Sequence, residues 1–288
     1  MRKLLTYILF PPPNISYKNL DKNLRGKTLL ITGASYGIGE HTARILANAG
    51  ISCRLILTAR STEKLIALQK ELQSEHCEVQ IFSADLYQAE GVETLITFIK
   101  SAQPIDIFIS NAGKSIRRSI WQSLERPQDL QRTAQLNYLT PTRLVMALLP
   151  LLRTKKGHII HVSAASVLLP PMPYWAFYQA SKVAFEQWFE AIQPELKCWG
   201  IRTSAVYFPL VRTRMIEPNE LYKNAPAMPV EQAAKHIISL IATPRKKFQP
   251  WWLGFLIFLA FFFGKILSWL NDGYARKNMA HSQSNEIT

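Results

Sequence analysis

The chain has 288 residues, 48% of them hydrophobic, which excludes a disordered polymer and supplies enough apolar side chain for one large buried core or two smaller ones. Thirty-four basic against 20 acidic residues leave a formal charge of +14, a field suited to an anionic cofactor, an anionic lipid surface or nucleic acid. Cys53, Cys77 and Cys198 are odd in number, far apart and without ligand spacing, so neither a disulfide framework nor a zinc site is suggested and a reducing compartment fits.

In chain order, the opening MRKLLTYILF has the basic-then-apolar character of a signal, but PPP follows it without a small-residue cleavage site. It reads as an uncleaved interfacial segment. From Leu24 to Thr243, short β-rich runs alternate with amphipathic stretches, the pattern of a parallel sheet covered by helices. Strands are expected at 28–32, 53–59, 79–84, 105–110, 158–163 and 202–208. Helices are expected near 38–49, 62–74, 88–102, 128–153, 175–198 and 230–243. The strands are continuously apolar, as a sheet buried on both faces requires.

The run from Trp251 to Leu270 carries one charge, Lys265, and as a helix would span about 30 Å, the thickness of a bilayer core. A membrane helix is expected, against the competing reading of a buried core helix. The basic flank Arg245 to Lys247 outweighs Arg276 and Lys277 and places the preceding domain on the cytoplasmic side. The organisation is then an interfacial segment at 1–23, a single α/β domain at 24–244, a membrane-anchoring segment at 245–274 and a polar tail at 275–288. The fold class is a Rossmann-type doubly wound parallel sheet with a C-terminal hydrophobic membrane helix.

Between the first strand and first helix lies TGASYGIG, with Gly33, Gly37 and Gly39. Glycines at a strand-to-helix junction allow a tight turn and let a phosphate approach backbone N–H groups at the positive end of the helix. The spacing is not G-x-G-x-x-G, and no G-K-[ST] follows for a nucleoside triphosphate. Four further stretches appear in order: NAG at Asn111 to Gly113, Asn137 in LNY, HVSAAS at His161 to Ser166, and YQASK with Tyr178 four residues before Lys182.

Together these resemble the short-chain dehydrogenase/reductase superfamily, over roughly Leu24 to Thr243: TGASYGIG matches T-G-x-x-x-G-x-G, and YQASK matches Y-x-x-x-K. The resemblance implies hydride exchange between a nicotinamide and a carbonyl. A free tyrosine, with pKa about 10, is slow to exchange its proton near neutrality, and a nearby ammonium lowers that value. Lys182 would do this for Tyr178 and also hold the nicotinamide ribose, while Asn137 anchors a relay water. The carbonyl-polarising serine is expected where Ala164 and Ala165 stand; Ser163 and Ser166 bracket that position, and Ser163 is favoured.

For the cofactor, the resemblance implicates Gly33, Ser35, Gly37, Ile38 and Gly39 of the loop, Asp85 at adenine, Asn111, Ala112 and Gly113 of the turn, and Thr213 at the carboxamide, beside Tyr178 and Lys182. Arg60 follows the second strand where an acid would select NAD, so NADP(H) is expected. Leu210 stands where a glycine is usual, which bears on the local backbone. The histidines show no ligand spacing, and the basic residues form no aromatic-interleaved stripe, so neither metal nor nucleic acid is implied.

Two stretches, NAGKSIRRSIWQS and PLVRTRMIEPNELY, look like those of short-chain-type fatty acyl-CoA reductases and related lipid-directed reductases. The implied substrate is a hydrophobic small molecule, a long-chain lipidic carbonyl with fatty acyl-CoA or aldehyde leading and a 3-ketosphinganine-type ketone as the alternative. A membrane-tethered NADP-binding sensor is the reading of another class. Arg117 and Arg118 would meet an anionic head group or be a solvated pair. A homo-oligomer is compatible with all of these.

Overall fold

The computed structural model describes residues 2–101, 104–217 and 222–286. Two short helices, α1 (Arg2–Leu9) and α2 (Tyr17–Leu24), precede the alternating part. That part runs β1 (Lys27–Thr32), α3 (Gly37–Ala47), β2 (Cys53–Ala59), α4 (Thr62–Leu72), β3 (Cys77–Ser83), α5 (Ala89–Ser101) and β4 (Ile107–Ser110). Then come α6 (Ile120–Ser123), α7 (Gln128–Ala134), a π turn (Gln135–Leu139), α8 (Thr140–Lys155), β5 (His158–Ala164) and a 3-10 turn (Ala165–Leu168). The domain closes with α9 (Ala176–Cys198), β6 (Arg202–Phe208), β7 (Val211–Arg212), β8 (Met228–Pro229), α10 (Val230–Ala242) and β9 (Lys247–Phe248). Two helices end the chain, α11 (Trp251–Phe262) and α12 (Gly264–Glu286).

Seven strands form one sheet in the order β3-β2-β1-β4-β5-β6-β9, every neighbouring pair parallel. The chain winds outward to β3, then returns past β1 to continue at β4, so the carboxyl ends of β1 and β4 flank a switch point where an open α/β sheet binds its ligand. Alternation along β1 sends Leu29 and Ile31 to one face and Leu30 to the other. The first face packs α2, α3, α4 and α10 through Leu24, Leu46, Leu68 and Ile237; the second packs α5, α8 and α9 through Val92, Leu144, Phe185 and Phe189. The doubly wound parallel fold expected from the sequence is the fold observed.

The differences have local causes. The helix expected over 128–153 is interrupted by the π turn around Asn137, and α8 restarts with Pro141 in its first turn, where a missing N–H costs nothing. β9 and the β7–β8 pair are two residues each, too short to show a hydrophobic period.

The single membrane helix is the main correction. The apolar run bends by 95° between α11 and α12, and among the described residues no one helix is long and apolar enough to cross a bilayer. The break falls at Phe263, before Gly264. Both helices instead touch the domain. Leu253 is fully buried, and the Trp251 and Trp252 indoles donate to the Ile8 and Leu9 carbonyls of α1. Asn271 donates to the Pro171 carbonyl and Tyr174 to that of Ala275.

Candidate active site

The glycine loop occupies the switch point. Gly33 and Gly37 have φ of +68° and +66°, a conformation that side chains disfavour. A Cβ on Gly39 would lie 2.5 Å from the Gly33 carbonyl oxygen and 2.7 Å from Asn111 Nδ2. The loop is therefore folded back on its own helix and on the NAG turn. Ser35 and Ile38 lie half-buried beside Gly37, the first residue of α3.

Asn111 serves that packing directly: its amide donates to the carbonyls of Thr32 and Gly33, while Thr32 Oγ1 accepts from the N–H groups of Asn111 and Ala112. A Cβ on Gly113 would approach Asn137 Oδ1 to 3.0 Å and Lys182 Nζ to 3.6 Å, so the turn comes within contact of the lysine because it lacks a side chain there. Asn137 is buried, and its carboxamide is fully engaged: Oδ1 accepts from Lys114 N at 2.8 Å, and Nδ2 donates to Lys114 O at 2.8 Å and Ser181 Oγ at 3.0 Å. Its amide is a clamp on the turn.

Tyr178 and Lys182 lie one turn apart near the start of α9. The protein packed around the phenol pushes its pKa up to about 12, with Tyr222 adding to the rise. Burial lowers Lys182 to about 8, while the Glu186 carboxylate one turn further raises it. Lys182 Nζ donates to the Val162 carbonyl at 3.2 Å. The lowering of the tyrosine pKa expected from the lysine is thus not the dominant effect here; desolvation of the phenol is.

The serines separate cleanly. Ser163 borders the cavity, but its hydroxyl donates to Glu186 Oε2 at 2.6 Å, and Tyr207 donates to Glu186 Oε1 at the same distance. His161 Nε2 lies 3.6 Å from Glu186, its pKa held well below the usual value by burial and by the nearby Lys182 ammonium. Ser166 Oγ, by contrast, is buried without a hydrogen-bond partner and lines the cavity. Both serines border the cavity, but the Ser163 proton is committed to Glu186 and that of Ser166 is not. Sequence reasoning also missed Glu186 and Tyr207, although Glu186 stands at helical spacing from Lys182.

The loop, the NAG turn, both serines, Tyr178 and Lys182 border one cavity of about 520 Å³ that runs from Gly33 and Gly37 to Trp252 and Leu256 of α11, whereas Ser35, Gly39 and Asn137 lie outside its lining. Its walls are mainly apolar, with Leu169, Met172, Trp175, Leu210 and Met215. Thr213 lines it beside the loop, 3.4 Å from a Cβ on Gly37. Leu210 needs no left-handed backbone, since among the described non-glycine residues only Lys156 and Tyr174 have positive φ, and its carbonyl accepts from Met228 across the β7–β8 pair.

Arg60 is exposed at the end of β2, its carbonyl bonded by Ser83. Asp85 Oδ1 accepts from the Tyr87 N–H. Arg117 is spent inside the chain: it donates to the Tyr274 hydroxyl at 3.0 Å and lies 4.8 Å over the Tyr174 ring. Arg118 pairs with buried Asp129 at 2.6 Å. Both arginines of the pair thus have partners within the chain.

A family model described as short chain dehydrogenase matches residues 27–223. The chain is 37% identical over 228 residues to a fatty acyl-CoA reductase of Acinetobacter baylyi, covering 78% of this chain and 76% of that protein. It is 35% identical over 231 residues to a fatty acyl-CoA reductase of Mycobacterium tuberculosis, covering 79% and 78%. Among solved structures, a short-chain dehydrogenase from Sphingobium yanoikuyae in complex with NADPH superposes with a TM-score of 0.70 at 26% identity, over 77% of this chain and 86% of that one. The extent of the family match and the identity to these relatives establish that the chain belongs to the short-chain dehydrogenase family and is an oxidoreductase.

Proposed function

We propose that the protein is an NADPH-dependent reductase of long-chain lipidic carbonyls, with fatty acyl-CoA or the corresponding aldehyde as leading substrate. The observation that carries this reading is the cavity: an apolar channel that begins at the glycine loop and Tyr178 and ends against the hydrophobic helix α11. The naming of the two bacterial relatives as fatty acyl-CoA reductases supports it.

The residues fit the cofactor. Glycines at 33, 37 and 39 leave a cradle that a Cβ would close, at the N-terminus of α3, where N–H groups and the helix dipole favour a pyrophosphate. Ile38, Asn111, Ala112, Gly113 and Thr213 of the cavity would line the rest, with Ser35 and Asp85 beyond its lining, Lys182 would hold the ribose, and Arg60 offers a cation to a 2′-phosphate without a competing acid. NADPH when bound supplies the hydride. The chain does the remainder: Tyr178 gives its proton to the carbonyl oxygen as negative charge develops there, the Lys182 ammonium stabilises the tyrosinate left behind, and Ser166 donates to the same oxygen. Asn137 fixes the turn that keeps Lys182 in place. The apolar C-terminal segment associates the enzyme with a membrane, the catalytic domain facing the cytoplasm.

The test is NADPH oxidation by the detergent-solubilised chain against palmitoyl-CoA, hexadecanal, a 3-keto sphingoid base and a steroid ketone. Turnover with the first two is expected. Turnover confined to either ketone would overturn the substrate assignment while leaving the oxidoreductase intact.

A further inference from the structure

Helix α11 serves two surfaces at once. Its inner side belongs to the domain: Leu253 is fully buried, Trp252 packs edge-on against Phe10, and Trp252 and Leu256 line the cavity. On its outer side Phe255, Phe258, Phe261 and Phe262 are each more than half exposed, Phe261 reaching 82%. Past the bend, Ile266, Trp269 and Leu270 continue the exposed apolar surface, and α1, tied on by the two indole hydrogen bonds, adds Leu5, Tyr7 and Ile8. A patch of this kind marks a docking site.

Charge identifies the occupant. Arg245, Lys246, Lys247, Lys265, Arg276 and Lys277 are all exposed along the same segment, against Asp272 as its one acid. Aromatic, apolar and cationic residues mixed in this way suit the interface of an anionic bilayer. Geometry decides between crossing and lying flat. Twelve residues of α11 reach about 18 Å, short of a bilayer core of about 30 Å. The start of α11 and the 271–275 stretch of α12 both bond to the same domain, through Leu9 at one end and Pro171, Arg117 and Tyr174 at the other. The two ends of the arm therefore lie on one side of any membrane.

We propose that α1, α11 and α12 seat the protein in one leaflet of an anionic bilayer without crossing it, and that a lipidic substrate enters the cavity through the wall it shares with α11. The entry clause rests on the reading of the cavity given above; the seat does not.

The test adds full-length protein, by detergent dilution, to preformed phosphatidylcholine vesicles with and without phosphatidylserine. Wild type is expected to float with both and more strongly with phosphatidylserine. In a Cys198→Ser background, Lys246→Cys and Asp272→Cys should both react with a membrane-impermeant maleimide; protection of Asp272→Cys alone would show a crossing and overturn the seat. The triple variant Phe258→Asp, Phe261→Asp, Phe262→Asp should lose flotation by tenfold or more while keeping its rate on a short soluble aldehyde. Wild-type flotation of that variant would also overturn the seat. Should the triple variant lose all activity through misfolding, Lys246→Glu with Lys247→Glu decides instead: loss of the phosphatidylserine preference supports the seat, and an unchanged preference overturns it. For entry, the triple variant should reduce vesicle-borne hexadecanal at least tenfold more slowly, and an unchanged rate refutes the shared wall. Wild type that floats and labels as expected but reduces no long-chain carbonyl would sink the functional reading and the entry clause, leaving the seat standing.

Discussion

Replacing Glu186 by Gln tests how the buried lysine keeps its charge. Burial lowers Lys182 to about 8, and Glu186, one turn along α9, opposes that fall. The carboxylate takes one hydroxyl proton on each oxygen, from Ser163 and Tyr207, an arrangement that suits the ionised form, although burial raises its pKa. His161 on β5, buried and held neutral near pH 7, does not compensate it, and Glu190 on the same helix pushes its pKa further up. At an effective dielectric of about 20, unit charges about 4 Å apart attract by about 4 kcal/mol, and a separation up to twice that still leaves on the order of 2 kcal/mol, more than one pK unit. Removing the anion disfavours the ammonium, so the Lys182 pKa falls. In the proposed mechanism reduction needs that ammonium, so activity is expected to decline as pH rises through the lysine pKa. The decline, near pH 8 in wild type, should therefore move about one unit or more toward acid in Glu186→Gln. The assay is kcat/KM for a short soluble aldehyde, with NADPH affinity, from pH 6 to 10. A folded Glu186→Gln protein whose decline stays at the wild-type pH refutes the argument, because a merely structural role would change the rate without moving the profile.

Tyr178→Phe keeps the ring contact with Trp175 but removes the proton donor, so NADPH should still bind while turnover falls by about 10² to 10⁴ in steady-state kinetics. Ser166→Ala should cost about a hundredfold in kcat with unchanged melting temperature. Ser163→Ala should instead lower stability by about 1 to 3 kcal/mol in a denaturant titration, by unpairing a buried carboxylate. Gly39→Ala drives a methyl group to 2.5 Å from the Gly33 carbonyl, and a loss of about 1 to 3 kcal/mol with weakened NADPH binding is expected from thermal melts and a fluorescence titration. Arg60→Asp should weaken NADPH by tenfold or more and spare NADH; unchanged preference in a binding titration removes Arg60 from the site.

What the sequence disclosed and what it hid divide along a physical line. The glycine loop, the NAG turn and the Tyr178–Lys182 pair were legible because each is a local backbone requirement written in consecutive residues: positive φ at Gly33 and Gly37, no room for a Cβ at Gly39, one helical turn from tyrosine to lysine. The different surroundings of the two serines were not legible, because counting along a loop ignores which way a strand residue faces. In β5, Ser163 shares a face with His161 two residues earlier, and both point to Glu186, whereas Ser166 sits beyond the strand end in the 3-10 turn beside the cavity. The bend in the tail was hidden for a related reason. Summed hydropathy measures how much a segment prefers to leave water, and it is blind to a turn at Phe263 and to the long-range bonds of Trp252, Asn271 and Tyr274. Those bonds change the meaning of the same apolar side chains. A free helix of this composition would satisfy its backbone internally and could cross a bilayer, but an arm fastened to the domain at both ends is left with one exposed face to cover. Because the other face of α11 walls the cavity, one helix joins that exposed face to the lining that also holds Tyr178.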